Sequence, residues 1–147
     1  MTSVTRRYQF SASHRLHLSD LSEAENEQLY GKCNNPFGHG HDYVLEVTAQ
    51  GTADPVTGQV VLRQELDRLV REQVLHVFEH RNINLDVKQF ENSVPTTENI
   101  ALVIAGLLGE HWNAYISGPA RLSRIHIQET DRNGFEVPVS EVAGVHG

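Results

Sequence analysis

The chain has 147 residues, enough to bury the core of one ordinary domain and too few for two, so residues 1–147 are expected to form a single unit. Its 39% hydrophobic and 21% charged content is that of a soluble globular protein. The formal charge of −7, with no clustering of Lys or Arg, argues against nucleic acid and anionic membranes as partners.

No apolar run approaches the ~20 residues of a membrane span, and no apolar signal region follows Met1. The single cysteine excludes an internal disulfide and fits a reducing, cytoplasmic setting.

In chain order, Arg7 to Arg15 predicts a first strand, with Tyr8, Phe10, Ala12 and His14 on one face. A short helix is expected over Ser22–Leu29, followed by turn-rich chain from Gly31 to Gly38. His41–Gly51 predicts a second strand, with Tyr43, Leu45, Val47 and Ala49 in phase. A turn at Asp54–Gly58 and a third strand at Gln59–Leu62 would complete an antiparallel hairpin. Arg63–Phe78 reads as an amphipathic helix carrying Leu62, Leu66, Leu69, Val70, Val77 and Phe78 on one stripe. Pro95-Thr96-Thr97-Glu98 reads as a helix start with a Thr cap and an acidic first turn, and the second long helix carries Ile100, Ile104, Leu108 and Trp112. Leu122–Glu129 and Phe135–Val139 predict the last two strands, flanking a hairpin signal at Asn133-Gly134. The order predicts an α+β fold: an antiparallel sheet with two helices on one face, whose open edges favour assembly with further copies.

Polar residues interrupt the apolar rows at informative places. His14 falls in phase with Phe10 and Ala12, and His39 and His41 fall in phase with Tyr43 and Leu45. Two-residue spacing on a strand puts both of the latter on one side. Three neutral imidazoles suit Zn²⁺ and leave a fourth tetrahedral position for chemistry, whereas a fourth protein ligand would make the site structural. Cys33, in a Gly/Asn/Pro-rich segment, reads as a fourth ligand, an idle thiol, or a thiolate base. Glu79-His80 follows the first long helix, where the imidazole either caps the helix or polarises another group. Glu129 extends the row Ile125, Ile127, and a carboxylate on an apolar face requires a partner. A heterocycle edge with two adjacent N–H donors would satisfy it in a fork.

Taken together, Phe10-Ser11-Ala12-Ser13-His14-Arg15-Leu16, Gly31-Lys32-Cys33-Asn34-Asn35-Pro36-Phe37-Gly38-His39-Gly40-His41, Thr96-Thr97-Glu98-Asn99 and Glu129-Thr130-Asp131 resemble the 6-pyruvoyltetrahydropterin synthase family. The likeness runs from Arg7 to Val139. The spacing of Cys33 and His39 is more similar to the pyruvoyl synthases than to the bacterial 6-carboxytetrahydropterin synthases of queuosine synthesis. The resemblance implies a tunnelling fold with a four-stranded sheet and two helices, closed by three subunits into a barrel and stacked as a hexamer of two trimers. It implies zinc on His14, His39 and His41, Cys33 as proton-abstracting thiolate with His80 as partner, and Glu129 as pterin anchor. Thr97 and Glu98 would line the pterin pocket. The implied reaction is zinc-dependent elimination of triphosphate from 7,8-dihydroneopterin triphosphate. The family usually has Asp where Glu79 stands, so Glu79 is expected to orient His80 from one methylene further away. A carboxypterin-forming enzyme on the same substrate and a non-catalytic zinc- or pterin-binding protein are the alternative readings.

Overall fold

The computed structural model describes residues 1–31, 39–129 and 133–139, with His39 described through its backbone alone. Strand β1 runs Thr2–His14 and β2 runs His39–Gly51, each 13 residues long and paired antiparallel along their whole length, from Thr2 opposite Gly51 to His14 opposite His39. β3 (Arg121–Gln128) lies on the other side of β2, and β4 (Gly134–Pro138) lies outside β3, giving a four-stranded sheet in the order β1-β2-β3-β4.

The expected strand at Gln59–Leu62 is not formed, and there is no hairpin between it and β2. The turn itself is present. The Asp54 carboxylate accepts from the amides of Val56 and Thr57, and Gly58 supplies the positive φ of 72° that lets the chain reverse. Beyond it the edge of β2 is already filled by β3, with Gln50 opposite Arg121. Val61 therefore buries into the core and the chain enters a helix instead.

Helix α1 (Glu23–Tyr30) begins at a capping box. The Ser22 hydroxyl accepts from the Glu25 amide while the Glu25 carboxylate accepts from the Ser22 amide. The long helix expected over Arg63–Phe78 is realised as α2 (Arg63–Val70), a π-helical turn (Arg71–Leu75) and α3 (His76–Phe78) in unbroken succession. The wider turn keeps Val70, Val74 and Phe78 four residues apart and all fully buried. Val74 thereby joins the core in place of Val77, which is only partly covered. A four-residue helix, α4 (Ile83–Asp86), lies in the Asn/Asp-rich connection and starts at Asn82, whose side chain accepts from the Leu85 amide. Helix α5 (Thr97–Tyr115) has the expected Thr cap, which is the Thr96 hydroxyl, and ends near a bond from Trp112 Nε1 to the Ala120 carbonyl.

The helices α2 and α5 cover one face of the sheet. On that face Phe10, Ala12, Tyr43, Leu45, Val47, Ile125 and Ile127 are buried together with Leu66, Leu69, Ile100, Ile104 and Leu108. The uncovered face is polar. One line straight across all four strands reads Arg7, Glu46, His126, Glu136. No helix among the described residues is long and apolar enough to cross a membrane.

Candidate metal and substrate site

Strand alternation delivers the first two ligating groups. His14 continues the buried row Phe10, Ala12, and His41 precedes the buried row Tyr43, Leu45. Register places Ala12 opposite His41, so His14 and His41 are diagonal neighbours on the helix-covered face. Their rings meet edge to face with centroids 4.8 Å apart, and their Nε2 atoms are 3.1 Å apart. The third group arrives from the end of β3. Glu129 follows the buried Ile125 and Ile127 in phase, and its Oε1 lies 2.7 Å from His41 Nε2 and 3.7 Å from His14 Nε2.

The surroundings tie each group down. His14 is 0% exposed, and its Nδ1 lies 2.9 Å from the Pro95 carbonyl and 3.3 Å from the Tyr43 hydroxyl. Thr97, in the first turn of α5, donates from Oγ1 to Glu129 Oε2. Burial pushes the Glu129 carboxyl upward, but the hydrogen bonds from His41 and Thr97 and the nearby imidazoles outweigh it. The net direction is below the ordinary carboxylate value.

The donor set fits a borderline cation. His14, His41 and Glu129 each offer one ligand atom, and these atoms lie within 4.8 Å of one another. Two imidazole nitrogens on a tetrahedral ion at about 2.05 Å stand about 3.3 Å apart, close to the Nε2–Nε2 separation found here. The sequence reading named His39 as third ligand. Its backbone is directly opposite His14 in register, while its side chain, like the whole of Cys33, lies outside the described residues. Within the described residues the third donor is the carboxylate that the sequence reading assigned to substrate alone.

A second group gathers at the outer edge of β1. His80 takes a positive φ of 58°, unusual for a residue with a side chain, and is fixed there by its amide donating to the Ser11 carbonyl at 2.7 Å. The neighbouring Ser13 amide donates to the Arg81 carbonyl at 3.0 Å. Glu79 accepts from the Ser11 amide at 3.3 Å through Oε2, and its Oε1 faces His80 Nε2 at 3.1 Å. Glu79 thus stands beside His80 at salt-bridge distance.

The His80 side chain is 78% exposed and shares a cleft of about 570 Å³ with Ser13, His41, Asp42, Arg81 and Asn82. Glu98 is exposed on the first turn of α5. Two participants were missed from sequence: the Pro95 carbonyl, which as a backbone atom leaves no side-chain signal, and the Tyr43 hydroxyl, which was read only as part of an apolar row.

Comparisons with known proteins place nearly the whole described chain in one family. A family model described as 6-pyruvoyl tetrahydropterin synthase matches residues 3–139. The 6-pyruvoyl tetrahydrobiopterin synthase of Poecilia reticulata is 45% identical over 132 residues, covering 88% of this chain and 85% of its own. The Homo sapiens protein of the same name is 42% identical over 130 residues, covering 88% and 86%. The solved structure of Caenorhabditis elegans 6-pyruvoyl tetrahydropterin synthase matches with a TM-score of 0.81 at 39% identity, covering 93% of this chain and 94% of that one. With its α+β fold and its imidazole–carboxylate cluster at the end of the sheet, the chain belongs to the 6-pyruvoyl tetrahydropterin synthase family.

Proposed function

We propose that this protein is a zinc-dependent lyase that eliminates triphosphate from 7,8-dihydroneopterin triphosphate to give 6-pyruvoyltetrahydropterin. Family membership supplies the reaction class. The observation that carries the rest is the convergence of His14, His41 and Glu129 on one point at the end of the sheet. His14, His39 and His41 would hold the ion, which when bound supplies Lewis acidity to the hydroxyl groups of the substrate side chain.

The remaining roles fall to side chains of the protein. Glu129, kept ionised and turned by Thr97, has the charge and the two acceptor oxygens to grip the amino-pyrimidine edge of the pterin. Thr97 and Glu98 border that pocket, Thr97 from within and Glu98 from the exposed side. Cys33 as thiolate removes a proton from a side-chain carbon, with His80 as its partner and Glu79 orienting His80. The electron pair freed there and the returned proton reduce the ring imine. The side chain is oxidised in the same exchange and triphosphate leaves, so the redox change is internal and needs no nicotinamide.

The outermost strands of the described sheet, β1 and β4, support a homo-oligomer built edge to edge, with three subunits closing a barrel and two trimers forming a hexamer. A cytoplasmic setting is in keeping with the lone cysteine. The whole chain acts as one domain in this reading.

The test is incubation with 7,8-dihydroneopterin triphosphate, with and without chelator, followed by product mass. A pyruvoyl product lost on chelation is expected, and acetaldehyde with a carboxypterin would reassign the reaction. Cys33→Ala is expected to keep zinc and pterin affinity while losing about 10²–10⁴ in kcat. A fully active Cys33→Ala enzyme would remove the thiol from the mechanism.

A further inference from the structure

His14 has a feature that the reaction scheme above does not use. Its Nδ1 lies against two oxygens, the Pro95 carbonyl at 2.9 Å and the Tyr43 hydroxyl at 3.3 Å, and both His14 and Tyr43 are 0% exposed. We infer that the Tyr43 hydroxyl and the Pro95 carbonyl are a positioning pair that holds His14 as its Nδ1–H tautomer and keeps its Nε2 lone pair turned toward His41 and Glu129.

The chemistry of the partners sets the tautomer. A carbonyl oxygen only accepts, so Nδ1 must carry the proton that reaches Pro95. The Tyr43 hydroxyl oxygen, 3.3 Å from the same nitrogen, can share that proton as a second acceptor. The far side of the ring agrees. His41 Nε2, 2.7 Å from Glu129 Oε1, is placed to donate to the carboxylate, and it also stands 3.1 Å from His14 Nε2. Two N–H groups would repel at that distance, whereas a donor from His41 facing an unprotonated His14 Nε2 attracts. Tyr43 is itself held rigidly. Its ring stacks on Phe10 at a centroid distance of 5.0 Å and 18°, and Phe10 is its direct cross-strand partner. The hydroxyl is thus fixed by the same sheet register that sets His14, and groups in this outer layer orient metal-ligating imidazoles and raise their affinity.

The consequence for zinc rests on the metal reading of the proposed function, so the experiment has two arms. In metal-free protein, imidazole ¹⁵N NMR reports the tautomer directly. A pyrrole-like Nδ1 and a pyridine-like Nε2 for His14 are expected, and the reverse assignment overturns the inference. In the second arm, zinc affinity is measured by chelator competition in wild type and in Tyr43→Phe, which keeps the ring and its stack on Phe10. A loss of about tenfold in affinity is expected, and an affinity within twofold of wild type overturns the role of Tyr43. Should Tyr43→Phe fail to fold, the tautomer of the wild-type protein still decides. A wild-type protein that takes up no zinc but shows the Nδ1–H tautomer refutes the metal reading while leaving the positioning pair standing.

Discussion

Strand β1 carries a polar cluster toward each end of its helix-covered face, and the two are built on opposite principles. Toward its start, Arg6 forms a two-pronged pair with Asp67 of α2, at 3.2 Å through Nε and 2.8 Å through Nη2, while the Tyr8 hydroxyl donates to Asp67 at 2.7 Å. At its end, His14 meets His41 and Glu129. The first cluster is closed: one cation meets one anion, and donors and acceptors match. The second is rich in acceptors: on the tautomer inferred above, His14 Nε2 and both Glu129 oxygens converge there, with His41 and Thr97 as donors among the described residues. Matched polar groups on a core face give stability and alignment. An acceptor-rich cluster on the same face is an invitation to a cation or to a donor-rich ligand.

The sharpest way to break this contrast is to remove a ligating group from the open cluster. His41→Ala is expected to abolish stoichiometric zinc and to lower turnover by at least about a thousandfold, with secondary structure intact, as read by metal analysis and product assay. Glu129→Gln keeps the shape and removes the charge. Losing charge-assisted bonds of about 1.5–3 kcal/mol predicts a fall of about 10- to 100-fold in kcat/KM, appearing mainly in KM for the pterin.

The closed cluster responds in another currency. Asp67→Ala strands the Tyr8 hydroxyl and the Arg6 guanidinium, and is expected to cost about 1–2 kcal/mol, a few degrees in Tm, with kcat/KM unchanged. Burial pushes Asp67 upward, yet the bonds from Arg6 and Tyr8 outweigh it and its pKa ends below the usual value. The unfolded chain therefore takes the proton first. Asp67's contribution is complete above the unfolded value of ~3.9 and fades as pH falls through the lower folded value. Acid melts of wild type and Asp67→Asn should accordingly start to approach each other near about pH 4 and converge only further into acid. The smallest effect is expected on the uncovered sheet face. His126, 29% exposed and 3.5 Å from Glu46, should tolerate His126→Gln within about 0.5 kcal/mol by denaturant unfolding, with no change in activity.

How far the sequence was legible follows from which interactions are local. The rows through Phe10, Ala12 and His14, and through Tyr43, Leu45 and Val47, could be read because side chains alternate whatever the partner strand. The Thr cap before α5 was legible for the same reason, since its hydrogen bond closes within three residues, whereas the equally local cap at Ser22 was not singled out. Gln59–Leu62 misled because Val60 and Val61 have strand character, while occupancy of the β2 edge is settled by residues sixty positions away. The start of β1 was set too late. Thr2–Arg6 is held by pairing to Val47–Gly51 rather than by a strong pattern of its own.

By itself the sequence determined which side chains share a face, that imidazoles and a carboxylate interrupt an apolar row, and that the elements alternate as an α+β chain, because periodicity and capping are short-range properties. Only the tertiary structure decided that β3 rather than a neighbouring hairpin fills the edge of β2. That choice carries Glu129 to within 2.7 Å of His41 and lets the turn before α5 offer a carbonyl to His14. Those distances depend on strand register and on helix packing across more than eighty residues, and no local pattern encodes them.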